Sequence, residues 1–158
     1  MRKPKPLDRT DRRILEVLQE DARISNVALA KKVNLTPTPC LERVRRLERD
    51  DYILGYSARL NPDLVDASLL VFAEISLTHN TREVFREFRR EARKIPQVLD
   101  CHLVSGDFDY LIKARVSDMH EYRKFLGEQI LGLPFVNRSH SYVVMEAVKE
   151  TLSLPVNR

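Results

Sequence analysis

Four arginines lie within a single short segment of this chain. Residues 36–50 read TPTPCLERVRRLERD, and the arginines are Arg43, Arg45, Arg46 and Arg49. A guanidinium group keeps its positive charge at any physiological pH and donates hydrogen bonds in a planar fork that matches phosphate oxygens. The segment is therefore a candidate polyanion-binding surface. A charge-rich helix face is often only a solvated surface, so this interpretation depends on the elements around it.

The segment has the signals of a helix start. Thr36 can act as N-cap, and Pro37 falls at the first helical position, where a missing N–H has no cost. Pro39 is tolerated for the same reason. The apolar side chains then share one stripe, made of Cys40, Leu41, Val44 and Leu47, and the arginines spread over the remaining surface.

Two shorter amphipathic helices are predicted just upstream. The first contains Ile14, Leu15 and Leu18 at helical spacing, and either Asp8 or Asp11 can cap it. Ser25 caps the second, which runs from about residue 26 to 33 and buries Leu29, Ala30 and Val33. A turn of only two residues, 34–35, then leads into the arginine-rich helix.

This spacing is typical of a helix-turn-helix unit, in which the later helix enters the DNA major groove with its N-terminal residues near base edges. Charge supports the interpretation: residues 1–60 have a net charge of +5, whereas residues 61–158 have a net charge of −1. We therefore predict double-stranded DNA as a partner, contacted through Ser25, Asn26, Thr36, Thr38, Arg43, Arg45, Arg46 and Arg49.

Composition favours a soluble globular protein of one or two small domains, with 158 residues, 43% hydrophobic and 32% charged. The longest apolar run, 69–73, is too short to cross a bilayer, and the charged start leads into no apolar signal segment, so we expect a cytoplasmic protein. Cys40 and Cys101 lack metal-ligand spacing, and the four histidines are scattered. We expect two free thiols and no metal site.

The second half is predicted to be a separate domain. Residues 53–60 form an extended connector or short strand, and residues 61–67 form the linker between a DNA-binding domain, 1–60 with its helix-turn-helix at about 26–45, and a domain at 68–158. The expected elements are a strand at 69–77, a helix capped by Asn80 and Glu83 and stopped at Pro96, strands at 98–104 and 108–116, a helix starting at Asp118, and a long strand at 136–148.

This order predicts an α+β protein, with the N-terminal helix-turn-helix domain followed by a C-terminal ferredoxin-like βαββαβ sandwich. Both helices should cover one face of the sheet. The other face should present apolar side chains that a partner subunit covers, so we expect a homodimer. The side chains expected on that face are Leu70, Phe72, Leu111, Val143 and Met145.

Five separated blocks resemble one known family in the right order. They are residues 7–11 (LDRTD), 23–26 (RISN), 36–49 (TPTPC through LER), 101–110 (CHLVSGDFDY) and 142–146 (YVVME). Over essentially its whole length the chain is similar to the Lrp/AsnC, or feast/famine, transcriptional regulators. The resemblance implies an N-terminal winged helix-turn-helix domain joined by a hinge strand to a C-terminal amino-acid-sensing domain for ligand binding and oligomerisation. It also implies a regulator of amino-acid metabolism genes, whose dimers assemble into octamers or larger particles.

The resemblance also implies an effector site between dimers. Leucine is the expected effector, followed by other branched-chain amino acids or methionine, and no other cofactor is expected. Matching positions place Leu103, Ser105, Gly106, Asp107, Phe108, Asp109, Met119, Tyr142, Val143 and Val144 near the ligand or the coupled interface. The carboxylates of Asp107 and Asp109 suit an ammonium group, directly or by shaping the turn, and the turn N–H groups suit a carboxylate.

Alternatives remain at several of these positions. Gly106 and Asp107 also suit an ordinary hairpin turn, and Met119 and Tyr142 also suit a core. An enzyme acting on an amino acid is disfavoured because no nucleophile, base and oxyanion set is recognisable. An architectural DNA-binding protein that ignores sequence and metabolite is the main rival function. A metabolite-sensing partner of an enzyme is disfavoured by the arginine-rich helix.

Overall fold

The computed structural model describes residues 5–156. Within this range the chain divides into two compact units, residues 60–148 and residues 5–59 together with 149–156. The second unit begins at residue 60, just before the predicted linker at 61–67 that precedes the predicted domain at 68–158. The last residues differ from the expected 68–158 domain, because they pack with the N-terminal unit. Each unit is described separately below.

Three helices form the first unit: α1 (Arg9–Glu20), α2 (Asn26–Lys32) and α3 (Pro37–Arg49). Asp8 caps α1 in a reciprocal box with Asp11, and the Ser25 hydroxyl accepts the Ala28 N–H at the start of α2. Thr36 occupies the N-cap position of α3, but its side chain makes no capping hydrogen bond. The buried core is Ile14, Val17, Leu29, Ala30, Val33, Cys40 and Leu47.

The turn between α2 and α3 is tight, as the sequence predicts. Asn34 takes a left-handed conformation with φ of +56°, which asparagine tolerates better than most residues. The N–H of Leu35 then donates to the carbonyl of Ala30 at 2.9 Å. This short reversal gives α2 and α3 the arrangement of a helix-turn-helix.

The connector after α3 forms no paired strand within the described chain. The predicted hinge strand at residues 53–60 is therefore extended without a β partner, and Leu54 and Leu60 are largely exposed. Tyr56 holds the connector against α3 by donating its hydroxyl to Glu48 Oε1 at 2.9 Å. Burial, together with this carboxylate, raises the pKa of Tyr56 to about 12.

The C-terminal segment is attached to α1 by a pair of hydrogen bonds. The Leu154 N–H donates to Gln19 Oε1 at 2.6 Å, and Gln19 Nε2 donates to the Leu154 carbonyl at 3.0 Å. The Arg59 guanidinium also donates to the carbonyl of Glu150 at 3.2 Å. These contacts explain why residues 149–156 belong to the first unit.

The second unit has the predicted strand and helix order. Its elements are β1 (Leu69–Leu77), α4 (Arg82–Ala92), β2 (Val98–Leu103), β3 (Tyr110–Val116), α5 (Met119–Lys124) continued by a π-helical stretch (Phe125–Ile130), and β4 (Val136–Val143). The four strands form one antiparallel sheet in the order β2-β3-β1-β4. Alternate residues of β1 and β3 point into one core with the buried residues of α4 and α5. This is the expected ferredoxin-like sandwich.

Several boundaries differ from the prediction for local physical reasons. Thr81, rather than Asn80, caps α4, because its hydroxyl accepts the Val84 N–H. That helix ends at Ala92, well before Pro96. The turn that precedes β3 is closed by a Val104 N–H to Asp109 carbonyl hydrogen bond, so β3 begins at Tyr110 rather than at 108. The last strand ends at Val143 rather than 148, because its neighbour β1 begins at Leu69.

The set of side chains predicted for the sheet face that points away from the helices is only partly correct. Phe72 and Leu111 do lie on it, because they pair with Lys113 and Glu74 rather than with core residues. Val143 does not, since it pairs with the core residue Val71 and paired residues share a face. Met145 lies beyond the strand and is exposed.

Polar side chains also occupy this face. The Tyr142 hydroxyl donates to Glu74 Oε1 at 3.0 Å, and the Tyr142 ring stacks on His140 with centroids 4.8 Å apart. The face therefore combines apolar and hydrogen-bonding groups.

Candidate nucleic-acid interface and effector site

Asp11 organises the arginine-rich helix. Its carboxylate is fully buried and meets two arginines of α3, Arg43 Nη1 at 2.7 Å and Arg46 Nη2 at 2.5 Å. Arg43 Nη1 also lies 2.5 Å from Asp8 Oδ2. The contact of Arg46 with Asp11 is an ion pair without hydrogen-bond geometry. Two of the four arginines therefore hold α3 against α1.

The electrostatics of this cluster favour the charged forms. Burial alone would raise the pKa of Asp8, but the hydrogen bonds from Arg43 and from the Asp11 N–H dominate and hold that pKa at about 2. The same carboxylates raise the pKa of Arg43 above its ordinary value. The contact between α1 and α3 therefore favours the charged forms of Asp8 and Arg43.

The other arginines of α3 face solvent. Thr38, Arg45 and Arg49 are all exposed, and their spacing of seven and four residues places them on one side of the helix. Arg49 has only a 3.4 Å contact with the neighbouring Asp50, and its side chain is 72% exposed. This side of α3 presents two guanidinium groups and a hydroxyl to any ligand of the helix.

Two predicted contact residues at the start of α2 have structural partners. Asn26 Nδ2 donates to the carbonyl of Pro37 at 2.8 Å, which ties α2 to the first turn of α3. The Ser25 hydroxyl is the α2 cap. The eight predicted DNA-contact residues therefore divide into an exposed set (Thr36, Thr38, Arg45 and Arg49) and a set engaged within the protein (Ser25, Asn26, Arg43 and Arg46).

The turn between β2 and β3 contains the first group of predicted effector residues. Its base is closed by the Val104 N–H donating to the Asp109 carbonyl at 3.0 Å. Asp109 also joins the turn to β1: its N–H donates to the Ile75 carbonyl at 2.9 Å, and its Oδ2 accepts the Leu77 N–H at 2.7 Å. The Asp109 carboxylate therefore shapes the turn.

The tip of this turn is open. Ser105, Gly106 and Asp107 are exposed, and Phe108 is half-buried. Gly106 has φ of +157°, a conformation that residues with a side chain rarely adopt. Leu103, at the end of β2, is 54% exposed. The tip presents a free carboxylate, turn N–H groups and a nearby apolar side chain.

The second group of predicted effector residues lies beside the first half of β1. Val143 pairs with Val71, and the Val144 N–H donates to the Leu70 carbonyl, whereas Asp109 contacts Ile75 and Leu77. Between three and seven residues of β1 separate these positions, a distance of about 10 to 23 Å along the strand. Within one chain Val143 and Val144 therefore lie away from the turn, whereas the Tyr142 hydroxyl reaches Glu74, next to Ile75.

Met119 belongs to the second group. It follows shortly after Val116, which pairs with Leu69 at the same end of the sheet as Leu70. Its side chain is 50% exposed at the start of α5. A cleft of about 280 Å³ in this unit, lined by residues that include Arg115, Glu121 and Gln129, contains none of the predicted effector residues.

The described residues show no sign of a metal site, a disulfide or a membrane span. No group of three or more His, Cys, Asp or Glu side chains able to hold a metal ion occurs among residues 5–156. Cys40 and Cys101 are free thiols, and burial raises the pKa of each. None of the described helices is long and apolar enough to span a membrane.

Comparison with known proteins decides the family. The family model for winged helix-turn-helix DNA-binding domains matches residues 7–53, and the Lrp/AsnC ligand-binding domain model matches residues 70–154. The leucine-responsive regulatory proteins of Escherichia coli K12 and Salmonella typhimurium are each 59% identical over 152 residues, which cover 96% of this chain and 93% of theirs. The chain belongs to the Lrp/AsnC family of transcriptional regulators.

A solved structure agrees with this assignment. The Lrp/AsnC chain superposes on a Neisseria meningitidis transcriptional regulator, solved as an L-Met complex, with a TM-score of 0.92 and 37% identity. The match covers 96% of this chain and 98% of the other. The predicted α+β fold, with an N-terminal DNA-binding unit and a C-terminal four-stranded sheet domain, is thereby confirmed. The chain is a DNA-binding transcription regulator of the amino-acid-responsive Lrp/AsnC family.

The acidic partners of the arginines were not predicted from the sequence. Asp8 and Asp11 are recognised there only as possible helix caps, although an i,i+3 carboxylate pair on α1 could have been matched with the i,i+3 pair Arg43 and Arg46 on α3. The two helices are too far apart in sequence for local pattern alone to reveal that pairing.

Proposed function

We propose that this Lrp/AsnC regulator binds leucine at a site that a second copy of the chain completes. The observation that supports the proposal is the separation of the Ser105–Asp109 turn from Val143 and Val144 along one sheet. A pocket that uses both the turn and these two residues is formed when the turn of one subunit meets the Val143–Val144 segment of another. Because two subunits then contribute to the site, effector binding depends on subunit assembly.

The chemistry of the turn suits a free amino acid. Asp107 offers an exposed carboxylate to the ammonium group, and turn N–H groups can donate to the carboxylate of the ligand. Leu103 and Met119, each about half exposed, offer apolar surface to an aliphatic side chain. In this proposal Asp109 acts indirectly, by holding the turn on β1.

Leucine is the first effector that we propose, because the E. coli and Salmonella relatives are leucine-responsive regulatory proteins. Methionine is the second, since the Neisseria relative was solved as an L-Met complex. The ligand shifts the equilibrium between assemblies only to the extent that it binds one of them more tightly. The mixed apolar and polar sheet face is the surface that we propose for dimer formation, and dimers then form larger particles.

We further propose that α3 reads DNA through its exposed side, with Thr38, Arg45 and Arg49 in contact with the duplex. Thr36 adds an exposed hydroxyl at the start of the helix. Arg43 and Arg46 support this side by fixing α3 on α1. The protein acts in the cytoplasm as a regulator of amino-acid metabolism genes and not as an enzyme.

Isothermal titration calorimetry of the full chain with leucine, methionine, alanine and glutamate tests the effector proposal. We expect saturable heat with leucine, weaker heat with methionine and none with glutamate. Sedimentation velocity on the same samples should show a leucine-dependent change in particle size. Heat with leucine but an unchanged particle size would contradict a site formed between subunits.

A further inference from the structure

A stripe of arginines runs along the solvent side of α4 in the sensing domain. The stripe consists of Arg86, Arg89, Arg90 and Arg93, and all four line one open surface cleft. Their spacing of i, i+3, i+4 and i+7 places them on a single side of an α-helix. None of the family motifs described above includes these residues.

The opposite side of α4 fixes the helix rotation. Val84, Phe88 and Ala92 are buried, and the Phe88 ring lies against the Tyr110 ring with centroids 4.4 Å apart. Phe85 makes an edge contact with the same tyrosine at 6.0 Å. Because this packing holds the apolar side inward, the arginine stripe must face solvent.

Carboxylates on the same helix neutralise only part of the stripe. Arg90 pairs with Glu87 at 2.7 Å and with Glu91 at 2.8 Å. Arg89 donates its Nε–H to the Phe85 carbonyl at 3.0 Å. Arg86 and Arg93 have no ion pair with any residue in the described range 5–156.

The charge is concentrated on this helix. Residues 82–94 contain six basic and three acidic side chains, a net charge of +3, whereas the remainder of residues 61–158 contains seven basic and eleven acidic side chains, a net charge of −4. A helix that is merely solvated usually balances its charges by i,i+4 pairs of opposite sign. The excess here is of one sign and lies on one side.

We propose that the arginine stripe of α4 is a second DNA-contact surface, which binds backbone phosphates of the duplex held by the helix-turn-helix units. Guanidinium forks match phosphate oxygens, and DNA is the polyanion that this regulator already binds. The stripe spans seven residues, or about 10 Å, which equals the rise of about three base pairs. Such contacts carry no sequence information and extend the length of DNA that the particle holds.

Salt dependence tests this proposal. The variant is Arg86→Ala with Arg93→Ala, which removes the two unpaired guanidinium groups and leaves the pairs of Arg90 intact. The matched control is Arg123→Ala with Lys124→Ala, two exposed basic residues on α5 that carry the same charge. Binding of each full-length protein to a long duplex of scrambled sequence is measured by fluorescence anisotropy over a KCl series.

Each phosphate contact contributes about 0.9 to the slope of log K against log salt. The double-alanine stripe variant loses two such contacts in each chain whose stripe contacts the duplex, so we expect its slope to be smaller in magnitude by about 1.8 per such chain. The control variant should keep the slope of the unmodified protein. Replacement of both stripe residues by lysine should keep most of the slope, because the charge is retained. Circular dichroism and sedimentation velocity establish that fold and particle size are unchanged.

An unchanged slope in the double-alanine stripe variant would overturn the proposal. So would an equal loss of slope in the α5 control, because the effect would then reflect net charge alone. A change in particle size that accompanies the loss would identify the stripe as a subunit contact and would also overturn it.

Discussion

Arg46 on α3 and Asp11 on α1 form an ion pair of 2.5 Å, and the Asp11 carboxylate has no exposed surface. Arg43 joins the same carboxylate at 2.7 Å. The helix that carries the most concentrated positive charge of the DNA-binding unit therefore uses half of its arginines as internal supports. The other two arginines are exposed, and we propose that they contact DNA.

Substitution of Asp11 by Asn should destabilise the DNA-binding unit strongly. The change leaves two partly buried guanidinium groups without their shared counter-charge, and breaking a buried pair from one side costs about 3–5 kcal/mol. Urea denaturation followed by circular dichroism measures the free energy of unfolding. Glu42→Gln, which removes an exposed carboxylate from α3, serves as the control and should change it by less than about 0.5 kcal/mol. A similarly small change for Asp11→Asn would contradict the supporting role of the cluster.

Substitution of the exposed arginine pair of α3 and substitution of the pair that contacts Asp11 should change different properties of the protein. Arg45→Ala with Arg49→Ala removes exposed groups, so DNA affinity should fall about tenfold or more while the urea midpoint stays unchanged. Arg43→Ala with Arg46→Ala should lower the urea midpoint as well, because Asp11 then stays buried without a cation. Full DNA affinity in the first double variant would place the reading surface elsewhere.

The Asp8 carboxylate makes stability depend on acid pH. Its pKa is about 2 in the folded protein, below the ordinary value of 3.8, so its contribution is present above about pH 4 and is lost as pH falls from 4 to 2. The contribution should stay below about 1 kcal/mol, because the side chain is half exposed. Asp8→Asn keeps a good N-cap residue but removes the charge. The stability advantage of the unmodified protein over this variant should shrink between pH 4 and pH 2, and a constant difference would contradict the assignment.

Substitutions of Asp107 and Asp109 should have different effects, because we propose that Asp107 binds the ligand and that Asp109 shapes the turn. Asp107→Asn changes only an exposed carboxylate, so we expect weaker leucine binding by calorimetry with an unchanged melting temperature. Asp109→Ala removes the acceptor of the Leu77 N–H and should lower the melting temperature of the sensing domain as well as leucine binding. If Asp107→Asn binds leucine normally, the turn tip is not the ammonium site.

Much of the fold follows from local pattern. The caps at Asp8 and Ser25, the proline at the first turn of α3 and the alternation in β1 predict the elements that the structure contains. Boundaries that depend on a neighbour were predicted less well. The end of β4 at Val143 is set by where β1 begins, and the face on which Val143 lies is set by its pairing with Val71. Neither fact is encoded near residue 143.

The candidate sites likewise depend partly on local sequence pattern and partly on tertiary contacts. Helix spacing identifies the arginines of α3, but only tertiary contact distinguishes Arg46, paired with the buried Asp11, from the exposed Arg45. Family resemblance names the effector residues, but the strand register is needed to find that Val143 and Val144 lie away from the turn along the sheet. A site shared between subunits has no local sequence signal, since its parts come together only in the assembly.

The most direct test of the account is fluorescence anisotropy of a DNA fragment from upstream of this protein's own gene, compared with a scrambled duplex of equal length, at fixed salt, with and without leucine. We predict tighter binding to the upstream fragment and a change in that preference when leucine is added. Tight binding that ignores both sequence and leucine would contradict an amino-acid-gated regulator and would indicate an architectural DNA-binding protein instead.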